Sequence, residues 1–248
     1  MSQSSNHALS VDPAEIDKFG AIADEWWNPG GKLAPLHKLN PVRLAFIREF
    51  AAAHFQRDAG PVRCFEGLKL LDVGCGGGLL SEPLSRLGFR VTGIDPAERN
   101  IAVARAHADS SGVVVEYRCA AAEDLAHEGA SFDVVLNMET VEHVADLRSF
   151  LKACASLVAP RGLMFVGTIA RTLKSLLLAK IAAEYVLRWL PIGTHDWERF
   201  PDPRDLRRLL EESGLNPLRT QGVSFDPLRW TWQLTTDTDV NYMVVAGR

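Results

Sequence analysis

The stretch Leu70-Leu71-Asp72-Val73-Gly74-Cys75-Gly76-Gly77-Gly78-Leu79-Leu80-Ser81 constrains this chain more than any other. A short apolar run of the kind that makes a buried strand passes through a glycine-rich turn straight into a helical pattern, and glycine there lets backbone approach a ligand closely. One helix length later, Arg90-Val91-Thr92-Gly93-Ile94-Asp95 repeats the strand signal and ends on an acidic residue, the type that holds a ribose diol. The run lacks the Lys-Ser/Thr of a phosphate-binding loop and the glycine spacing of a dinucleotide site. Turn, helix and acid-ended strand together point to a nucleoside-containing ligand.

The same alternation continues downstream. Strand candidates at 68–73, 90–95, 113–118, 132–137 and 162–168 alternate with helices at 79–87, 97–109 and 146–158, and a short polar connection covers 121–130. That order predicts an α/β fold with a parallel sheet and helices on both faces. Ligands in such sheets collect at the C-terminal strand ends, where Gly74, Asp95 and Asn137-Met138-Glu139 emerge. Ahead of the sheet, Ile16, Phe19, Ile22, Ala23 and Trp26 recur at helical spacing over 13–27. The Trp26-Trp27 pair either packs this extension onto the core or walls a ligand pocket. Asn40 is expected to cap a second helix with Pro41 at its first position, running to about residue 55. After the sheet, a helix from Pro203 turns Leu206, Leu209 and Leu210 inward and stops at Gly214. Strands at 218–223 and 240–246 then close the fold as an antiparallel pair, joined by a long loop rich in Trp and Thr that is placed to contribute to the pocket. The expected organisation is an N-terminal helical extension at 1–56 and one domain at 57–248 carrying an amphipathic insert at 169–200.

With 248 residues, 47% hydrophobic and 23% charged, the chain is long enough for one substantial core. A formal charge of -4 argues against a dedicated nucleic-acid binder. Cys64, Cys75, Cys119 and Cys154 are widely spaced, which favours free thiols in a reducing compartment over a disulfide scaffold or zinc knuckle. The polar start, residues 1–12, has no signal-peptide core, so the cytoplasm is the expected location. Within 171–190, Leu173, Leu177, Ile181 and Tyr185 form an apolar face interrupted by Lys174, Lys180, Glu184 and Arg188. Those charges argue against a span, and a basic amphipathic surface touching a membrane, with Trp189 as interfacial anchor, stands beside a lid packed over the site.

The densest polar group is Met138-Glu139-Thr140-Val141-Glu142-His143. In a helical turn, Glu139 and Glu142 would share a face three residues apart, with His143 four from Glu139. Two carboxylates and an imidazole suit a divalent cation, or general-base work at His143 or Glu142, while a helix cap with a surface histidine is the structural alternative. Mg²⁺ would prefer the oxygen-rich part of that set. His195 is a second candidate base, or a hydrogen-bonding anchor for the insert. Arg43 pairs either with a carboxylate of the ligand or with a local partner. Asp72 is expected to organise the backbone of the glycine turn, and Cys75 to act as a small filler.

These residues carry a resemblance. Leu71-Asp72-Val73-Gly74-Cys75-Gly76-Gly77-Gly78 with Gly93-Ile94-Asp95 resembles the class I S-adenosylmethionine-dependent methyltransferases. More narrowly, 19–27, 35–43, 137–143, Gly193-Thr194-His195-Asp196 and Asp239-Val240-Asn241-Tyr242-Met243 look like the ubiquinone-biosynthesis O-methyltransferase family, in order from about residue 15 to the end. The resemblance implies a Rossmann-like fold, a seven-stranded mostly parallel sheet with an antiparallel last strand, and an S-adenosylmethionine donor. It implies donor contacts at Arg43, Gly74, Asp95 and Met138, with Gly76 in the same turn, Asp95 on the ribose and Met138 near the adenosine. It implies Mg²⁺ at Glu139, Glu142 and His143, and activation of the acceptor by Glu142, His143 or His195. The implied acceptors are a polyprenylated catechol and demethylubiquinol. The implied partners are an anionic lipid surface on the inner face of the cell membrane and an assembly of ubiquinone-biosynthesis proteins, with no nucleic acid. Thr140 stands where an apolar residue is expected, and Ala145-Asp146 where Pro-Asp is frequent. The competing readings are an O-methyltransferase for another phenol or quinone, and an inactive ligand-binding membrane module. An NAD-dependent oxidoreductase is disfavoured by the glycine spacing.

Overall fold

The computed structural model describes residues 10–170, 200–226, 229 and 231–248. Strands β1 (Lys69–Val73), β2 (Arg90–Asp95), β3 (Glu116–Cys119), β4 (Phe132–Met138) and β5 (Val158–Ile169) pair in parallel. Strand β8 (Asn241–Gly247) runs antiparallel between β5 and β6 (Asn216–Asp226). Strand β7 (Thr231–Thr235) adds an edge hairpin to β6, giving the order β3-β2-β1-β4-β5-β8-β6-β7. The architecture is the Rossmann-like α/β fold expected, with an antiparallel last strand. Among the described residues the sheet has eight strands in place of seven, because the Trp/Thr-rich connection itself forms β7.

The apolar runs are long because both faces of the sheet are covered. Leu71, Val73, Val135, Met164, Val166, Val244 and Ala246 point to one face, against α5 (Ala122–His127), α6 (Leu147–Ser156) and α7 (Pro203–Glu212). Leu70, Val134, Leu136, Met138, Leu163, Phe165, Met243 and Val245 point to the other, against α2 (Ala34–His54) and α3 (Ser81–Arg86). The period of two along each strand separates the sets, and each fully buried Val or Leu contributes about 1.5–3 kcal/mol relative to exposure. A further helix, α4 (Glu98–Ser111), follows β2 and packs Ile101 and Ala104 beside Tyr117 of β3.

Three local expectations change. The second N-terminal helix, α2, begins at Ala34 with Pro35 in its first turn, so Pro41 lies inside the helix and Asn40 is a buried interior residue instead of a cap. Two prolines six apart each fit a helix start, and tertiary packing through Leu39, Phe46, Ile47 and Ala51 extends the helix back to the first of them. The helix expected over 13–27 is α1 (Pro13–Ala21), capped by Asp12, followed by a 3₁₀ turn at Ala23–Glu25. The polar connection at 121–130 contains α5. The insert at 169–200 lies almost entirely outside the described residues, and so do His195 and Trp189. No described helix is long and apolar enough to cross a membrane.

Candidate active site

Strand order reverses between β1 and β4, and at their C-terminal ends a cleft of about 710 Å³ opens. Its floor is Asp72, Gly74, Asp95, Met138 and Glu139, and its walls come from α1, α2 and the β6–β7 hairpin. Gly74 (φ +71°), Gly76 (φ +53°) and Gly78 (φ +89°) all occupy the left-handed region, where a side chain is strained. The Gly74 and Cys75 N–H groups both donate to the Ile94 carbonyl, at 2.9 and 3.0 Å, which ties the turn to the end of β2.

Asp95, and not Asp72, organises the glycine turn. Its Oδ2 accepts from Gly76 N–H at 3.0 Å, and its Oδ1 accepts from Ala97 N–H at 2.9 Å and Asn100 Nδ2 at 3.1 Å. Burial pushes this carboxyl up, and those bonds oppose the shift. Asp72 accepts from Ser81 Oγ at 2.6 Å at the start of α3, and burial followed by the nearby Asp95 charge pushes its carboxyl up to about 6. A folded-state pKa above the unfolded value of 3.8 means that the unfolded chain releases the proton first. Stability should therefore fall as pH rises from about 4 through 6. Asp72→Asn should remove about 2–3 kcal/mol of that fall, read as a narrower gap between urea midpoints at pH 4.5 and 7.5. Parallel pH dependence in parent and variant would contradict this assignment.

At the end of β4 the chain does not enter a regular helix. Glu139 has φ +55°, Thr140 follows, and Val141–His143 form a single 3₁₀ turn. Glu139, Glu142 and His143 consequently do not share one face. Glu139 pairs with Arg43, which is buried in α2 and also donates to Asn40 Oδ1 at 3.3 Å. Glu142 turns inward and accepts from Thr168 Oγ1 at 2.9 Å, leaving its buried Oε1 without a partner among the described residues. Burial, then the Glu139 charge, raises the Glu142 carboxyl. His143 Nδ1 lies 2.8 Å from Glu15 Oε2 of α1, and its ring meets Phe19 edge-on at 4.9 Å. That hydrogen bond holds the Glu15 carboxyl down to about 2. Among the described residues, no group of three His, Cys, Asp or Glu side chains stands close enough to hold a metal ion.

Arg43, Gly74, Asp95, Met138, Glu139 and His143 therefore share one cleft, Glu142 sits beneath it, and Gly76 lies under the Trp26 ring. Thr140 is accommodated because its Oγ1 donates to the Val73 carbonyl at 3.1 Å. Ala145 keeps an N–H that proline lacks and donates it to Ser10 O at 2.7 Å, next to a Val11–Val144 bridge that straps residues 10–12 to the site. Glu15 and Asn100 are contributions the sequence reading missed. Asn100 was recognisable as a polar residue in the first turn after Asp95, whereas nothing local marks Glu15.

Residues 71–166 match the Methyltransferase domain family. The ubiquinone biosynthesis O-methyltransferase of Caulobacter vibrioides is 56% identical over 96% of this chain and 95% of its own length. That of Rhizobium johnstonii is 54% identical over 96% of both. Magnesium protoporphyrin IX methyltransferase of Synechocystis, solved with bound SAH, matches 95% of this chain and 98% of its own at a TM-score of 0.67. At 21% identity that likeness speaks for the fold alone. With its glycine turn, acid-ended second strand and full-length likeness to these relatives, the chain belongs to the ubiquinone biosynthesis O-methyltransferase family, enzymes that take their methyl group from S-adenosylmethionine.

Proposed function

We propose that this enzyme methylates a phenolic oxygen of a polyprenylated catechol and of demethylubiquinol. The observation that carries the reading is a single cleft lined by the glycine turn, Asp95, Glu139 and His143. Its apolar walls, Phe19, Leu36, Leu39, Val223 and Trp232, suit a prenylated ring. In this reading Arg43, Gly74, Gly76, Asp95 and Met138 hold the donor, with Asp95 on the ribose hydroxyls. The acceptor oxygen attacks the methyl carbon in line with sulfur, the C–S bond breaks, and S-adenosylhomocysteine leaves as a neutral thioether. The phenolic proton goes to His143, whose Nδ1 is engaged by Glu15, leaving Nε2 as the basic nitrogen. Holding oxygen, carbon and sulfur in line inside an apolar cleft contributes much of the acceleration. His195 is the alternative base.

Glu139, Glu142 and His143 suit Mg²⁺ by donor type alone, since among the described residues they do not stand close enough together to hold an ion. The buried Oε1 of Glu142, unpartnered among those residues, is the atom a cation would satisfy. Holding an ion would require Glu139 to leave Arg43 and His143 to leave Glu15. When bound there, the ion supplies positive charge that favours the ionised acceptor. The test is methyl transfer from labelled S-adenosylmethionine to a short-tailed demethylubiquinol, with Mg²⁺ and after chelation. Loss on chelation and recovery with metal supports the ion, metal-independent turnover assigns activation to protein side chains, and no product despite donor binding would overturn the acceptor.

The enzyme is further proposed to work in the cytoplasm, peripherally on the inner membrane face and beside other ubiquinone-biosynthesis proteins, with the 171–190 segment as contact. The charge pattern Lys174, Lys180 and Arg188 supports this. Co-sedimentation should favour vesicles containing anionic lipid over neutral ones, and replacing these three cations should remove the preference. Equal binding to both vesicle types in the parent protein would leave the segment as a lid.

A further inference from the structure

We infer that Trp26 is a positioning residue for the donor's ribose, acting through Asn100 on Asp95. The inference rests on the reading of Asp95 as the ribose residue. Trp26 is 8% exposed and lies across the glycine turn, so closely that a Cβ placed on Gly76 or Gly77 would come within 2.3 or 2.4 Å of it. Its Nε1–H donates to Asn100 Oδ1 at 2.9 Å, and Asn100 Nδ2 donates to Asp95 Oδ1 at 3.1 Å. An indole N–H is only a donor. It therefore fixes which end of the Asn100 amide faces which neighbour, the oxygen towards Trp26 and the amino group towards Asp95. Turned over, the amide would set oxygen against carboxylate and amino group against N–H, two buried mismatches on a side chain that is 1% exposed.

This orientation has a consequence for the ligand. A carboxylate offers about four acceptor positions. Ala97 N–H and Asn100 Nδ2 occupy those of Asp95 Oδ1, and Gly76 N–H occupies one of Oδ2. Among the described residues' bonds one acceptor position remains, on Oδ2, so an incoming ribose hydroxyl meets a carboxylate that is already oriented. Further contacts hold the indole in place. The Trp26 carbonyl lies 2.9 Å from His37 Nε2, and the neighbouring Trp27 donates to the Gly77 carbonyl at 2.8 Å. Trp27 also stacks on His107 at 3.4 Å between ring centroids, and His107 is bonded to buried Glu82 at 2.7 Å. Both tryptophans of the extension thus contact the glycine turn, Trp26 through its ring and Trp27 through its N–H.

The test is calorimetric titration of S-adenosylhomocysteine and its 2′-deoxy and 3′-deoxy analogues on the parent protein, Trp26→Phe, Asn100→Ala and the double variant, with melting temperatures alongside. The parent should favour the intact ribose over at least one deoxy analogue by about tenfold, the worth of one hydrogen bond to a charged group. Trp26→Phe keeps a large ring and removes the N–H. It should shrink that preference several-fold, and the double variant should lose no more than Asn100→Ala alone. If Trp26→Phe weakens all three ligands by one common factor, Trp26 is a wall only and the inference is overturned. A parent protein indifferent to both ribose hydroxyls would instead overturn the reading of Asp95 on which the inference stands.

Discussion

Asp95→Ala should raise the dissociation constant for S-adenosylhomocysteine about 100-fold, close to 3 kcal/mol, as read by titration calorimetry. Two contributions add. The carboxylate is the proposed acceptor for the ribose, and hydrogen bonds to a charged group contribute roughly 1.5–3 kcal/mol each. The same carboxylate also receives Gly76 N–H, Ala97 N–H and Asn100 Nδ2, so its loss leaves buried donors unpaired and loosens the turn against which the donor packs. Asp95→Asn separates the two. It keeps the shape but must present its amino group to some of those donors, so donor affinity should fall with a smaller loss of thermal stability than in Asp95→Ala. Unchanged affinity in a folded Asp95→Ala protein would remove Asp95 from the donor site.

His143→Ala should lower kcat by about 10²–10⁴, the range for losing a positioned general base, with the donor dissociation constant unchanged. His143 lines the cleft and is oriented by Glu15 and Phe19 of α1. Truncating it leaves the bonds of Asp95 to Gly76, Ala97 and Asn100 untouched. Glu142 differs, because it is 3% exposed and hydrogen-bonded to Thr168 behind the cleft. Glu142→Gln should cost activity through displacement of the β4 end, and the donor-binding and melting data will show whether that displacement spreads. Pre-steady-state methyl transfer distinguishes the chemical step from product release. Wild-type turnover in His143→Ala would shift the base to His195.

How far these assignments were readable from sequence depends on the range of the interactions. The glycine turn and the acid-ended β2 were legible because each is a local necessity. Positive φ at Gly74, Gly76 and Gly78 calls for glycine, and a ribose site at a strand end calls for a nearby acid. The strand and helix alternation was legible for the same reason, since burial on both faces imposes apolar runs. The eighth strand was not, because β7 exists only by pairing with β6 across a loop whose own pattern is mixed. The start of α2 was misread because Pro35 and Pro41 give the same local signal, and packing decided between them.

The sequence by itself determined the fold class, the donor chemistry and the membership of Glu139, Glu142 and His143 in one polar group. Only the tertiary structure decided what each of these faces. A left-handed residue at Glu139 and a single 3₁₀ turn after it send one carboxylate to Arg43, bury the other against Thr168 and leave the imidazole to Glu15. Those partners lie 96, 26 and 128 positions away along the chain. Local propensity acts over a few residues, whereas desolvation and charge pairing act on whatever the fold brings within a few ångströms. The same holds for Trp26: its place in the sequence marked it as apolar and helical, and only packing against the glycine turn put its N–H on Asn100.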